Sequence, residues 1–377
     1  MRKVLLILSF YIPVLIYSQS QKYYLVTGSY TNGKSEGIYS YEFNVDSGTV
    51  KLRSFAKTDN PSFVSISRDE QYLYAIKEGG MDSISAVKAF RFDKITGGIS
   101  FINQQPSGSK GGCYIKVDKQ NKWLFSANYM GGTLSVFPLK PDRSIDSLRQ
   151  LIVHHGSSIN KGRQSEAHVH TVVFSTDDKY VLCTDLGTDK ITLYPFTADA
   201  YFPLDTIHAI EINSKAGNGP RHLAFSKNNK FLYTINELSG TIDLFDFKAG
   251  KTTLIQTIST DSTNNMDKGS ADIHLSNDGK FLYCTNRGKY NTIAAFSVEE
   301  YTGKLKLLQV LPSGGIMPRN FTIDPSDNYV LVGHQKSDNI AVFKRDKLTG
   351  LLTNTNKDIK AGSPVCLMMG RIDEGID

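Results

Sequence analysis

The chain has 377 residues, 21% of them charged and 11% aromatic, and a formal charge of +6. That length allows a large buried core, and the Lys and Arg residues are spread without a dense basic block, which argues against nucleic acid as a partner. With 19 Tyr and 20 Phe, the composition leans towards strands.

At the N-terminus, Arg2 and Lys3 precede an apolar run from Val4 to Tyr17, and Ser18 supplies a small residue before polar Gln19. This pattern predicts a signal peptide over residues 1–20, removed on export, and one domain over 21–377. The apolar run is shorter than the roughly 20 residues of a membrane span, so no membrane attachment is expected after cleavage; an uncleaved anchor is the alternative. The expected destination is outside the cytoplasm, the periplasm in a Gram-negative cell.

From Tyr24 onward one apolar segment returns seven times: YLVTGSY, YLYAIKE (Tyr72), WLFSANY (Trp123), YVLCTDL (Tyr180), FLYTINE (Phe231), FLYCTNR (Phe281) and YVLVGHQ (Tyr329). Successive starts lie 48, 51, 57, 51, 50 and 48 residues apart. A period near 50 with four strand-like segments in each repeat predicts an all-β, seven-bladed β-propeller. In each repeat the recurring segment is strand B. Strand A precedes it, as in SFVSIS (Ser62) or HLAFS (His222), and strand C follows, as in TIDLFDF (Thr241), with strand D after a turn that often carries Gly. The first repeat lacks strand A, and a surplus segment, GSPVCLMMG from Gly362, follows the last. This C-terminal strand is predicted to complete the N-terminal blade and close the ring, removing open sheet edges.

Cys113, Cys183, Cys284 and Cys366 show no C-x-x-C spacing. Cys183 and Cys284 hold one repeat position inside apolar strands, so buried free thiols are expected.

In an antiparallel hairpin the start of strand A lies beside the end of strand B, so these residues from all blades should ring one mouth of the central funnel. The A starts include Cys113, His168, His170, Arg221, His222, Asp272, Arg319 and Asn320. The B ends include Glu78, Asn128, Tyr129, Asp185, Asn236, Glu237, Asn286, Arg287 and Gln335. Three arginines at one funnel point to an anionic ligand; ion pairs of these arginines with Glu78 or Glu237 are the plainer reading. Asn128, Asp185, Asn236 and Asn286 could instead bond their own turns. His168 and His170 share a strand face by the two-residue period, but their neighbours form no recognisable ligand set, so neither metal nor other cofactor is expected.

These segments resemble the seven-bladed lactonase family that contains bacterial 6-phosphogluconolactonases and fungal 3-carboxy-cis,cis-muconate lactonizing enzymes. The resemblance covers nearly the whole chain after residue 20. It rests on GSYTNGKSEGIYSYEF (Gly28), ANYMGGTLSVF (Ala127), RQSEAHVHTVVFS (Arg163), GPRHLAFS (Gly219), INELSGTI (Ile235), TNRGKYNTIAAFSV (Thr285) and MPRNFTID (Met317). It implies His170, Arg221, Glu237 and Arg287 as catalytic residues. Substrate contacts are expected from Gln164, His168, His222, Asn236, Arg319, Gln335, Tyr129 and Glu78. The family commonly has Pro-His-Ala-His where this chain has Ala167-His168-Val169-His170, and the longer loop before it, with Lys161 and Arg163, is a place for altered substrate choice.

The implied function is hydrolysis of a small anionic sugar lactone, with the arginines holding the anion and polarising the carbonyl while His170 or Glu237 handles the proton. A muconate-type cycloisomerase and a non-catalytic exported propeller that binds an anionic sugar or a protein are the alternatives.

Overall fold

The computed structural model describes residues 21–80, 83–248, 250–262 and 269–372; the expected signal peptide lies outside them. The described residues form seven antiparallel sheets, each with a strand order A-B-C-D, and no helix. Six of the seven B strands begin on the aromatic residue seen in the repeat, from Tyr72–Lys77 to Tyr329–His334, and the first runs Lys22–Ser29.

The surplus segment forms strand Pro364–Arg371, which pairs antiparallel with Lys22–Ser29 and supplies the missing strand of the N-terminal blade. Each A strand packs against the A strands of both neighbouring blades, and Pro364–Arg371 bridges Phe63–Ile66 on one side and Pro318–Ile323 on the other. The ring is thus closed by contacts between residues at opposite ends of the chain, and the A strands line its axis.

The core lies between blades. B strands such as Phe231–Asn236 are buried along their whole length because both faces meet a neighbouring sheet, which is why they read as near-continuous apolar runs. Outer strands such as Thr49–Lys57 are largely exposed. Fully burying one Phe or Leu contributes about 1.5–3 kcal/mol, and every one of the seven blade interfaces carries such side chains. All four cysteines are free and buried.

One irregularity recurs near the start of strand A. Pro220 pairs with Asn236 and His222 with Ile235, leaving Arg221 as an extra residue in a β-bulge. The same count leaves Cys113, His170 and Arg319 unpaired in their blades. A bulge bends the strand and re-aims the extra side chain. In blade 5 the turn before it needs glycine: Gly219 has φ +63°, and a Cβ there would stand 2.6 Å from Leu238.

Candidate active site

The re-aimed residues meet those that follow each B strand at one mouth of the ring. They enclose a cavity of about 300 Å³ walled by Cys113, His170 and Arg319 from the bulges and by Glu78, Tyr129, Glu237 and Arg287 from the B ends. Arg163 also reaches the wall, from the long connection between blades 3 and 4.

Glu237 is the electrostatic hub. Its Oε1 accepts a hydrogen bond from Arg163 Nη2 at 2.6 Å, and Oε2 lies 2.7 Å from Arg287 Nη2 and 3.0 Å from Arg221 Nε. Burial alone would raise its pKa, but Arg287, Arg221 and Arg163 overrule that and hold the carboxyl well below its usual range. On the other side, Arg319 lies over the Tyr30 ring, and the Tyr30 hydroxyl donates to Glu78 at 2.9 Å. Four guanidiniums, Arg221 included, face Glu237 and Glu78, and ionised Asp272 below them also acts on Arg221, so a surplus of one positive charge remains. The strain falls on Arg221, which is only 2% exposed: burial, then Arg287 and Arg319, press its pKa down to about 9.

His170 stands among these cations as a neutral base. Burial, followed by the charges of Arg221, His222, Arg319 and Arg287, pushes its pKa well below 6.5, and its Nδ1 is buried without a hydrogen-bond partner. Cys113 is a poor nucleophile, because burial and the Glu78 charge push its thiol up to about 12; it donates to the His170 carbonyl.

Several expected contacts sit elsewhere. Arg221 lies behind Glu237 rather than on the wall, so the ion-pair reading of its charge holds, and the charge surplus holds beside it. Asn236 turns into its blade and donates to Thr241 and Asp243, and Asn128 and Asn286 bond neighbouring strands in the same way. Alternation along the strand takes the side chain before Glu237 away from the funnel. Gln164 is fully buried and anchors the connection by donating to the Leu186 carbonyl. Gln335 holds the blade 7 equivalent of Glu237 but stands off the wall. His222 packs on the channel floor against Tyr114 and Phe63.

His168 and His170 do not share a strand face, because His168 precedes the strand Val169–Phe174 and the bulge turns His170. The two rings flank Tyr129 instead, His168 stacked at 4.3 Å and His170 edge-on at 5.6 Å. Among the described residues no cluster of three or more His, Cys, Asp or Glu could hold a metal ion.

Sequence reasoning passed over Tyr30 and gave Arg163 no contact. Tyr30 could have been found as the seventh residue of the first recurring segment, aligned with Glu78 and Glu237. Arg163 lies outside the repeat pattern; the 57-residue step and the longer loop before Ala167 marked its segment as a place for substrate choice, but gave it no partner. A larger cavity, about 470 Å³, lies beside the outer strands of blade 4, and its charged groups pair with one another: His154 bridges Asp185 and the Tyr194 hydroxyl, and Lys190 pairs with Glu211.

Residues 24–369 match the family described as lactonase, 7-bladed beta-propeller. A 6-phosphogluconolactonase of Formosa agariphila is 36% identical over 92% of this chain and 99% of its own, and one of Bacillus subtilis is 34% identical over 92% and 98%. Among solved structures, a periplasmic gluconolactonase of Pseudomonas aeruginosa superposes with a TM-score of 0.87 at 33% identity, covering 92% of this chain and 99% of that one. On this match of sequence and architecture, the chain belongs to the seven-bladed β-propeller lactonase family.

Proposed function

We propose that the protein is a lactonase of the 6-phosphogluconolactonase type that hydrolyses an anionic sugar lactone in the funnel cavity. The observation that carries this reading is the surplus of guanidiniums around one neutral imidazole. Arg287, Arg319 and Arg163 hold the substrate anion. His170 takes a proton from water as the water oxygen bonds to the lactone carbonyl carbon. The electron pair of the carbonyl moves onto its oxygen, where the guanidiniums stabilise it; one such donor is worth about 10²–10³ in kcat. Collapse of that intermediate breaks the ring C–O bond, and the departing alkoxide takes the proton back from His170. The product is an open-chain hydroxy acid, whose carboxyl proton passes to solvent.

Glu237 is the weaker candidate for the base. Both of its oxygens are already engaged by guanidiniums at 2.6 to 3.0 Å, whereas the neutral His170 ring keeps a nitrogen without a partner. Its role is to fix the arginines. The names of the Formosa and Bacillus relatives support this reaction class. A leader over residues 1–20 would carry the domain away from the cytoplasm, where lactones of phosphorylated sugars arise. With the likeness to a periplasmic gluconolactonase, it supports a sugar lactone whose anionic group is not a phosphate, such as a carboxylate, as the physiological substrate.

The test is hydrolysis of 6-phosphoglucono-δ-lactone, glucono-δ-lactone and a muconolactone by purified protein, with spontaneous hydrolysis subtracted, beside His170→Asn and Arg287→Ala. Turnover of a sugar lactone that drops at least 100-fold in His170→Asn supports the reading. Reaction on the muconolactone alone would favour the cycloisomerase, and binding without turnover the non-catalytic propeller.

A further inference from the structure

Below the cavity the channel floor carries a buried polar chain that the proposed chemistry does not use. Asp272, on the A strand of blade 6, accepts from His222 Nδ1 of blade 5 at 2.7 Å through Oδ1. Through Oδ2 it takes His274 Nε2 at 2.9 Å, Asn320 Nδ2 at 2.5 Å and the Phe321 amide at 3.1 Å. His222 Nε2 lies 3.2 Å from Arg221 Nη1, which also donates to the Ala271 carbonyl at 2.5 Å. Asp272, His222 and Arg221 are each at most 5% exposed.

Burial would neutralise Asp272, but His274 and His222 keep it ionised. An ionised carboxylate against Nδ1 fixes one tautomer of His222, with the proton on Nδ1 and a lone pair on Nε2. That lone pair is what Arg221 Nη1 can donate to. The opposite tautomer would set an N–H against an N–H. With Nη1 held by His222 and Ala271, the guanidinium is fixed with Nε 3.0 Å from Glu237 Oε2, an ion pair rather than an aligned hydrogen bond, and Glu237 in turn sets Arg287 and Arg163.

We infer that Asp272 and His222 are positioning residues, which select the imidazole tautomer that orients Arg221 and, through Glu237, the anion-holding arginines of the cavity. This inference rests on the reading of that cavity as the hydrolytic site. Outer partners of this kind are typically worth about 10–100-fold in activity, as seen for residues that orient metal ligands.

The experiment compares kcat and KM of wild type, Asp272→Asn, His222→Phe, the double variant and His274→Asn on whichever sugar lactone the wild type turns over, with thermal unfolding of each. Asp272→Asn offers Nδ1 a donor and forces the wrong tautomer, so kcat is expected to fall at least 10-fold. His222→Phe, which removes the acceptor of Arg221 but leaves no misdirected N–H, should lower kcat by more than 3-fold and by no more than Asp272→Asn does, and adding it to Asp272→Asn should recover activity or cost nothing further. His274→Asn removes one of the imidazoles that keep Asp272 ionised, but His222, Asn320 and the Ile273 and Phe321 amides still donate to it and Arg221's contacts are untouched, so its kcat should stay within about 3-fold of wild type. A purely structural tie would give losses that multiply in the double variant, or an equal loss in His274→Asn; either outcome overturns the inference. If Asp272→Asn does not fold, His222→Phe decides alone: a kcat within 3-fold of wild type overturns it. Wild type that turns over none of the lactones would count against the hydrolytic reading itself, a failure distinct from these.

Discussion

Replacing Glu237 by Gln keeps the shape of the side chain and removes the charge that three guanidiniums share. The contacts at 2.6, 2.7 and 3.0 Å involve two arginines that are almost wholly buried, Arg221 and Arg287 at 2% and 8% exposure. Removing one partner of a buried pair leaves an uncompensated charge and costs about 3–5 kcal/mol. Unfolding entropy near 2.1 cal/mol/K per residue makes each kcal/mol worth roughly 1.4 °C in a chain of this size, so Tm should fall by about 4–7 °C. A carboxylate with a depressed folded-state pKa contributes stability that is complete above its unfolded value, about 4.3, and is lost as pH falls from there towards the folded value. The gap between wild type and variant should therefore be widest above about pH 5 and narrow on acidification. Thermal unfolding from pH 7 to pH 3 checks both points, and Arg221→Met placed on the variant should restore part of the loss by removing the orphaned cation. A Tm equal to or above wild type at pH 7, or a gap that grows as pH falls, would refute the idea that Glu237 is the counter-charge on which the arginine cluster depends.

Because His170 is already neutral in the free protein, kcat/KM for the preferred lactone should stay level from pH 8 down through pH 6, with the acid limb well below 6.5; stopped-assay pH profiles would show it. Ending the chain before Pro364 removes the strand that pairs with Lys22–Ser29 and exposes sheet edges on both sides of the gap, so the product should be insoluble or unfolded by circular dichroism. Gly350→Ala introduces a Cβ at φ +73° and 2.1 Å from the Phe281 ring of the neighbouring blade. Strain and overpacking together should cost about 2–4 kcal/mol, a Tm lower by about 3–6 °C, with kcat unchanged because the site lies at the opposite ends of these strands.

The repeat was legible because burial on both faces forces strand B to be apolar throughout, and that constraint returns every 48–57 residues whatever the surface does. Ring closure was legible too, since a strand missing at one end and spare at the other has one economical solution. The position after strand B was also open to reading: Glu78, Tyr129, Glu237 and Arg287 are the last residues of the aligned segments, and all four stand on the cavity wall. What periodicity could not supply was the bulge. A strict two-residue alternation groups His168 with His170 and leaves Arg221 and His222 as equal candidates, whereas one extra residue in these A strands turns His170 and Arg319 into the cavity. The same insertion sends Arg221 towards Glu237 and leaves His222 on the floor facing Asp272. Alternation did operate one residue earlier on strand B, where it takes Asn236 inward to Thr241 and Asp243. The pairing of Arg163 with Glu237 escaped for a different reason: Arg163 belongs to a connection with no counterpart in other blades, and only the folded ring brings that connection across to Glu237. The charges that the repeat supplies and the charge that the insertion adds thus converge on one carboxylate, and substitutions at Arg163 and Arg287 should be coupled through it rather than additive.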